Sequence, residues 1–174
     1  VWLTRPAATW LVRADLPTST TGVGCPDIAV DGANQPVITY AAGKVYLSRL
    51  AGGTWSHSSF GDATYRAGRV RLTPAGATVM TFGRFNATDD PTGGVYVRTN
   101  ESGSWVTTLV GKSADADYAR HGLALDGSGG TYVAYRGTDS DPGLHEATNK
   151  TGSWKVIRIR QEDMNGPEIT VNGV

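Results

Sequence analysis

Four tryptophans close nearly the same phrase: "PAATW" at Trp10, "AGGTW" at Trp55, "ESGSW" at Trp105 and "KTGSW" at Trp154. Their spacings are 45, 50 and 49 residues. No other feature limits the fold as strongly. A fixed period of this size means that one supersecondary unit has been copied along the chain.

Each unit resolves into four short pieces. The first alternates and ends in a turn: "PDIAVDG", "GRVRLTPAG", "HGLALDG" and "PEITVNG". Ile28/Val30, Val70/Leu72, Leu123/Leu125 and Ile169/Val171 share one face at period two, the period of a strand. The second piece is "PVITYA", "ATVMTFG" or "TYVAYRG", and the third "VYLSRL", "VYVRTN" or "LHEATN", with "VWLTRP" as the N-terminal counterpart. The fourth begins at the tryptophan. Glu and Lys are scarce, whereas Val, Thr, Tyr and Gly are plentiful, which favours strands joined by glycine turns over helices.

One four-stranded antiparallel sheet cannot bury both faces alone, and stacking such sheets radially solves this. The predicted fold is therefore all-β: a single β-propeller domain over 1–174, with units at about 1–25, 26–67, 68–120, 121–166 and 167–174. The sequence opens at a third strand and stops after a first. Two readings follow: a closed ring of about four blades, one split between the termini, or an arc of a ring of up to about eight. Unpaired strand edges invite association, so the arc is favoured, completed by another copy or another chain.

Several function classes are set aside early. The formal net charge is +0, so no basic footprint for nucleic acid exists. No apolar run approaches the ~18 residues needed to span a membrane. Cys25 is the sole cysteine, so no disulfide forms within the chain, and a small buried or half-buried apolar role is expected for it. His57, His121 and His145 fall in different units without zinc spacing, and neither a nucleophile elbow nor a phosphate-binding glycine loop occurs.

In such a fold the fourth-to-first and second-to-third loops share one face. They are expected to be the longer and more variable set, and so the place for binding. Two of the former echo each other, "FGDATYRAG" (60–68) and "GKSADADYARHG" (111–122). They supply Asp62, Tyr65 and Arg66, then Asp115, Tyr118 and Arg120. An aromatic ring can stack on a sugar, and Asp and Arg can fix its hydroxyls or a carboxylate. The alternative is that Tyr packs between sheets and Asp caps the turn with Arg beside it. The second-to-third loops "RFNATDDPTGG" (84–94) and "RGTDSDPGL" (136–144) each begin with Arg, making Arg84 and Arg136 candidates to converge on one face. Their Asp residues offer oxygens to Ca²⁺ but lack the alternating spacing of a calcium loop, so no cofactor is expected. Trp2, Tyr46, Tyr96 and His145 repeat at one register, as do the four tryptophans, and both series read as packing between sheets, the first with a sugar platform as its alternative.

The stretch "HGLALDGSGGTYVAYRG…GLHEATNKTGSW" resembles the blade of secreted bacterial propellers with sialidase-like or lectin-like repeats. The resemblance implies extracellular or cell-surface placement and recognition of glycans or glycoproteins. The sialidase Asp-box is not matched: "AGGTW", "ESGSW" and "KTGSW" keep only its Gly and Trp. The leading expectation is thus a non-catalytic carbohydrate-binding module. A protein-interaction or assembly module and a fragment of a sialidase-like glycoside hydrolase are the alternatives.

Overall fold

The computed structural model describes residues 24–84, 93–113, 121–161 and 167–171. Within them the chain is all-β and holds no helix. Sheet A comprises β1 (Gly24–Val30), β2 (Pro36–Ala41), β3 (Val45–Ala51) and β4 (Thr54–Phe60). Sheet B comprises β5 (Tyr65–Leu72), β6 (Thr78–Arg84), β7 (Gly94–Thr99) and β8 (Val106–Gly111). Sheet C comprises β9 (His121–Leu125), β10 (Thr131–Thr138), β11 (Asp141–Thr148) and β12 (Lys155–Arg160). Each is an antiparallel meander whose spatial order follows the sequence.

Alternation along the strands sends residues to two faces, and the faces pack in order. One face of sheet A (Val37, Ala41, Val45, Leu47) meets Ala67, Val70, Met80 and Phe82 of sheet B. The opposite face of sheet B (Val79, Val95, Val97, Val110) meets Leu123, Val133, Tyr135 and Ala147 of sheet C. Sheet A thus turns its front face to the back of sheet B, and sheet B turns its own front face to the back of sheet C. Sheet B is buried on both, which is why β6 is buried at six successive positions instead of at alternate ones.

The first strands lie side by side. The Val70 amide of β5 donates to Asp27 Oδ2 of β1 at 2.7 Å, and Arg71 reaches the same oxygen at 3.0 Å. Arg69 pairs with Asp27 at 3.9 Å and also with Glu168 of 167–171. That last segment lies against β9: a Cβ on Gly122 would stand 2.8 Å from the Ile169 nitrogen. Expected as a first strand, 167–171 is placed beside β9 without a strand ladder of its own.

The same cross-strand ring pair recurs at one register in every sheet. Tyr40 stacks on Tyr46 (5.1 Å), Phe82 on Tyr96 (5.1 Å) and Tyr135 on His145 (5.5 Å). The predicted series Tyr46, Tyr96, His145 therefore packs first against its own sheet, pinning the second strand to the third. The tryptophans differ from expectation: Trp154 packs against a core, but Trp105 is 39% exposed and Trp55 stacks on His57. They mark the turn into the last strand of each sheet.

Other expectations also shift. Cys25 is exposed and sits in a bulge of β1 at φ 50°, not in the core. The second-to-third connection is short in sheet A (42–44) and in sheet C (139–140), where β10 and β11 extend into the "DSDP" stretch and turn tightly. Only in sheet B is it long. Trp2, Trp10, Asp115, Tyr118 and Arg120 lie outside the described residues.

Candidate functional site

At the end of sheet B nearest the β4–β5 connection, four of the residues singled out from sequence come together. Tyr65 opens β5 and is paired with Arg84, the last residue of β6. The Arg84 guanidinium carbon stands 5.7 Å from the centre of the Tyr65 ring, within cation–π range. Asp62 occupies the preceding turn. Its Oδ1 accepts from the Thr64 hydroxyl (2.6 Å) and amide (2.8 Å), and the Tyr65 amide donates to its carbonyl (3.1 Å). Those two bonds from Thr64, with the charge of Arg84 adding, hold the Asp62 carboxyl below the ordinary carboxylate range. Arg66 Nη1 donates to the Ala63 carbonyl at 2.6 Å, bracing the same turn.

Tyr65 is half-buried and belongs to a ring cluster. It stacks on Phe82 at 5.4 Å and meets Phe60 edge-on at 6.3 Å. The turn-capping and inter-sheet packing roles weighed from sequence are therefore both present. Asp62 and Arg84 nevertheless place a carboxylate and a guanidinium beside one half-buried ring, while Arg66, one residue on and paired opposite Gly83, starts from the other face of β5. That set can accept from hydroxyls, donate to hydroxyls or a carboxylate, and offer a ring face.

Arg136 does not repeat Arg84. The ring-pair register aligns Phe82 with Tyr135, so Arg84 lies two residues beyond its ring and Arg136 one. A single-residue offset reverses the face. Arg84 turns toward sheet A, whereas Arg136 turns to the front of sheet C and pairs with Asp139 at 3.7 Å. The two arginines head similar phrases without sharing a structural position.

A second concavity lies at the opposite end of the sheets and was passed over in the sequence because its turns are short. The turns after β1, β5 and β9 enclose a recess of about 440 Å³, lined by Val30, Leu72 and Leu125 with Asp31, Thr73 and Asp126 around them. Its signal was the repeated acceptor that ends each first strand. Asp31 Oδ1 accepts from the amides of Ala33 and Gln35 (both 2.9 Å). Thr73 Oγ1 accepts from Ala77 (3.1 Å) and Asp126 Oδ1 from Ser128 and Gly130 (2.9 and 2.8 Å). The Ser128 hydroxyl (2.7 Å) and Tyr132 also donate to Asp126, and the Ser128 hydroxyl first, with the Gly130 amide and these other bonds, holds its carboxyl far below the usual range. These polar atoms serve their own turns, and Val30, Leu72 and Leu125 supply the apolar part of the recess.

Among the described residues no group of three or more His, Cys, Asp and Glu gathers as a metal site. His57, His121 and His145 stay apart: His57 Nδ1 bonds Ser48 Oγ at 2.9 Å, His145 pairs with Asp141 at 3.1 Å, and His121 is buried between sheets. Neither a family model nor a curated protein matches the chain.

Proposed function

We propose that the chain forms β-propeller blades and serves as a non-catalytic carbohydrate-binding module of a secreted or cell-surface protein. The propeller reading is supported by three equivalent meanders packed front to back, with their first strands side by side. The binding reading is carried by one observation: Asp62, Tyr65, Arg66 and Arg84, drawn from a connection and two strand ends, converge at one end of sheet B. A sugar stacks on the exposed part of Tyr65, with Arg84 donating to its hydroxyls or acidic group and Asp62 accepting.

The test is glycan-array binding by the full chain. Tyr65→Ala is a poor probe, because removing a ring from the cluster with Phe60 and Phe82 costs stability. Asp62→Asn keeps an acceptor for Thr64, and Arg84→Gln keeps a hydrogen-bonding side chain, so both retain the fold. Each is expected to weaken the selected glycan about tenfold or more, the effect of losing a hydrogen bond to a charged group. Failure of the full chain to retain any glycan, or unchanged binding in both variants, rejects the site. Binding that survives both but falls in Leu72→Glu moves it to the recess between the turns.

A further inference from the structure

Each repeated first piece has one residue just ahead of its first apolar side chain: Asp27 before Ile28, Arg69 before Val70, Gly122 before Leu123 and Glu168 before Ile169. Three of them meet. The Arg69 guanidinium stands 3.9 Å from Asp27 Oδ1 and also pairs with Glu168. From β5, Arg69 thereby joins β1 to 167–171.

Gly122 makes the meeting possible by having no side chain. A Cβ there would stand 2.8 Å from the Ile169 nitrogen and 3.1 Å from the Pro167 carbonyl oxygen. Glu168 lies between those two groups. Their close approach to β9 is what carries its carboxylate to Arg69.

The segment itself is lightly held. Pro167 is buried, Ile169 and Val171 are half-buried, and Glu168 and Thr170 are exposed. That alternation is a strand's, yet 167–171 joins no ladder among the described residues. Asp27 keeps other partners without Arg69: its Oδ2 accepts from the Val70 amide at 2.7 Å and from Arg71 at 3.0 Å. For Glu168, Arg69 is the single cationic partner among the described residues. The Arg69 Nε is enclosed and has no hydrogen-bond partner there, so the stem is packed away while the charged head emerges.

We propose that 167–171 is a strap that opens and closes over β9, latched by the Glu168–Arg69 pair. The two side chains are 65% and 34% exposed, so salt screens their attraction and favours the open strap. A pair this exposed shifts an equilibrium only a few-fold, which keeps the latch reversible. Closed, the strap meets β1 through one arginine, which favours a ring of about four units over an arc. The latch rests on these contacts and not on carbohydrate binding.

The experiment is double electron–electron resonance on the full chain. Nitroxides are attached through Lys44→Cys and Thr170→Cys, both at exposed positions, in a Cys25→Ser background. A narrow distance is expected for the closed strap and a broad one for the open strap, with the open share growing as salt is raised. Glu168→Gln should raise the open-to-closed ratio about two- to fivefold at low salt and remove its salt dependence. Arg69→Met should do the same, whereas Arg71→Met, which leaves the pair intact, should not. Gly122→Ala should remove most of the closed population although both charges remain. Strand circular dichroism on each variant separates an open strap from an unfolded chain, and Glu168, the most exposed of these side chains, is the variant least able to disturb the fold. A single distance insensitive to salt, an unchanged ratio in Glu168→Gln, or an equal effect of Arg71→Met overturns the proposal.

Discussion

The imidazole of His121 fills the space that a side chain on Gly68 would need. His121 pairs with Tyr135 as Ala67 pairs with Phe82, and Gly68 follows Ala67 in the bulge of β5. Glycine in one unit makes room for a ring from the next. A similar exchange follows one position on, where Arg69 corresponds to Gly122 and the backbone of Pro167 and Ile169 approaches.

Gly68→Ala should therefore be costly although its backbone is ordinary. The new methyl group displaces His121 and presses on the Thr81 hydroxyl, which accepts the Arg69 amide at 2.8 Å. Overpacking of this kind costs about 1–3 kcal/mol. Gly127→Ala, where a Cβ meets nothing within 4 Å, is the matched control and should leave Tm nearly unchanged. Calorimetry on the pair checks the difference.

Acid should loosen the contact between sheets B and C before it affects the turns. His121 is fully buried, and neither ring nitrogen has a hydrogen-bond partner among the described residues. Burial, with the charge of Arg69 adding, pushes its pKa down to about 3 from 6.5. Between those values the unfolded chain binds a proton that the folded chain refuses. Stability is thus complete above about pH 6.5 and falls on acidification toward pH 3. Thermal melts from pH 7 to 4 should show this slope, and His121→Met should flatten it. Asp31, Asp62 and Asp126, whose pKa values are lowered, lose their contributions only as pH drops below the ordinary carboxylate range.

The turn after β9 should depend first on the acceptor oxygens of Asp126 and second on their charge. Asp126→Ala removes the partner of two amides, the Ser128 hydroxyl and Tyr132. It is expected to lower Tm by several degrees, whereas Asp126→Asn loses much less. Asp126→Thr should fall between them, since Thr73 serves the equivalent turn of sheet B.

Arg98 lies 4.5 Å from the ring centre of Phe60 and 5.1 Å from that of Trp105, tying sheet B to the last strand of sheet A. Arg98→Ala should cost about 0.5–1 kcal/mol, the scale of a partly exposed cation–π contact. It should also change tryptophan emission, because Trp105 loses its cationic neighbour. An unchanged spectrum would count against the contact.

Much of this fold was legible because strand periodicity is local. Ile28, Val70 and Leu123 announced a shared face two residues at a time, and the tryptophan phrases fixed where each fourth strand begins. Which faces meet is a relation between sheets, and no run of sequence reports it. Nothing local to Gly68 shows that His121, 53 residues on, fills the space beside it. Arg84 and Arg136 looked equivalent because each follows an aromatic second strand, yet a one-residue offset sends them to opposite faces. For the candidate site, the "DATYR" phrase gave the residue types. That Tyr65 would also be a packing ring depended on Phe60 and Phe82, one from each adjoining sheet.

Sheet B alone, among the three, has a described neighbour on each side. Contacts run from one sheet to the next, so local openings can begin at either end of the series without breaching its middle. Backbone amides of Met80, Phe82 and Val97 should accordingly exchange with solvent most slowly, at rates set by global unfolding. Those of β1 and β12 should exchange through cheaper partial openings. Denaturation would then follow a spatial sequence, and the chain would resemble a short row of coupled units more than a single switch.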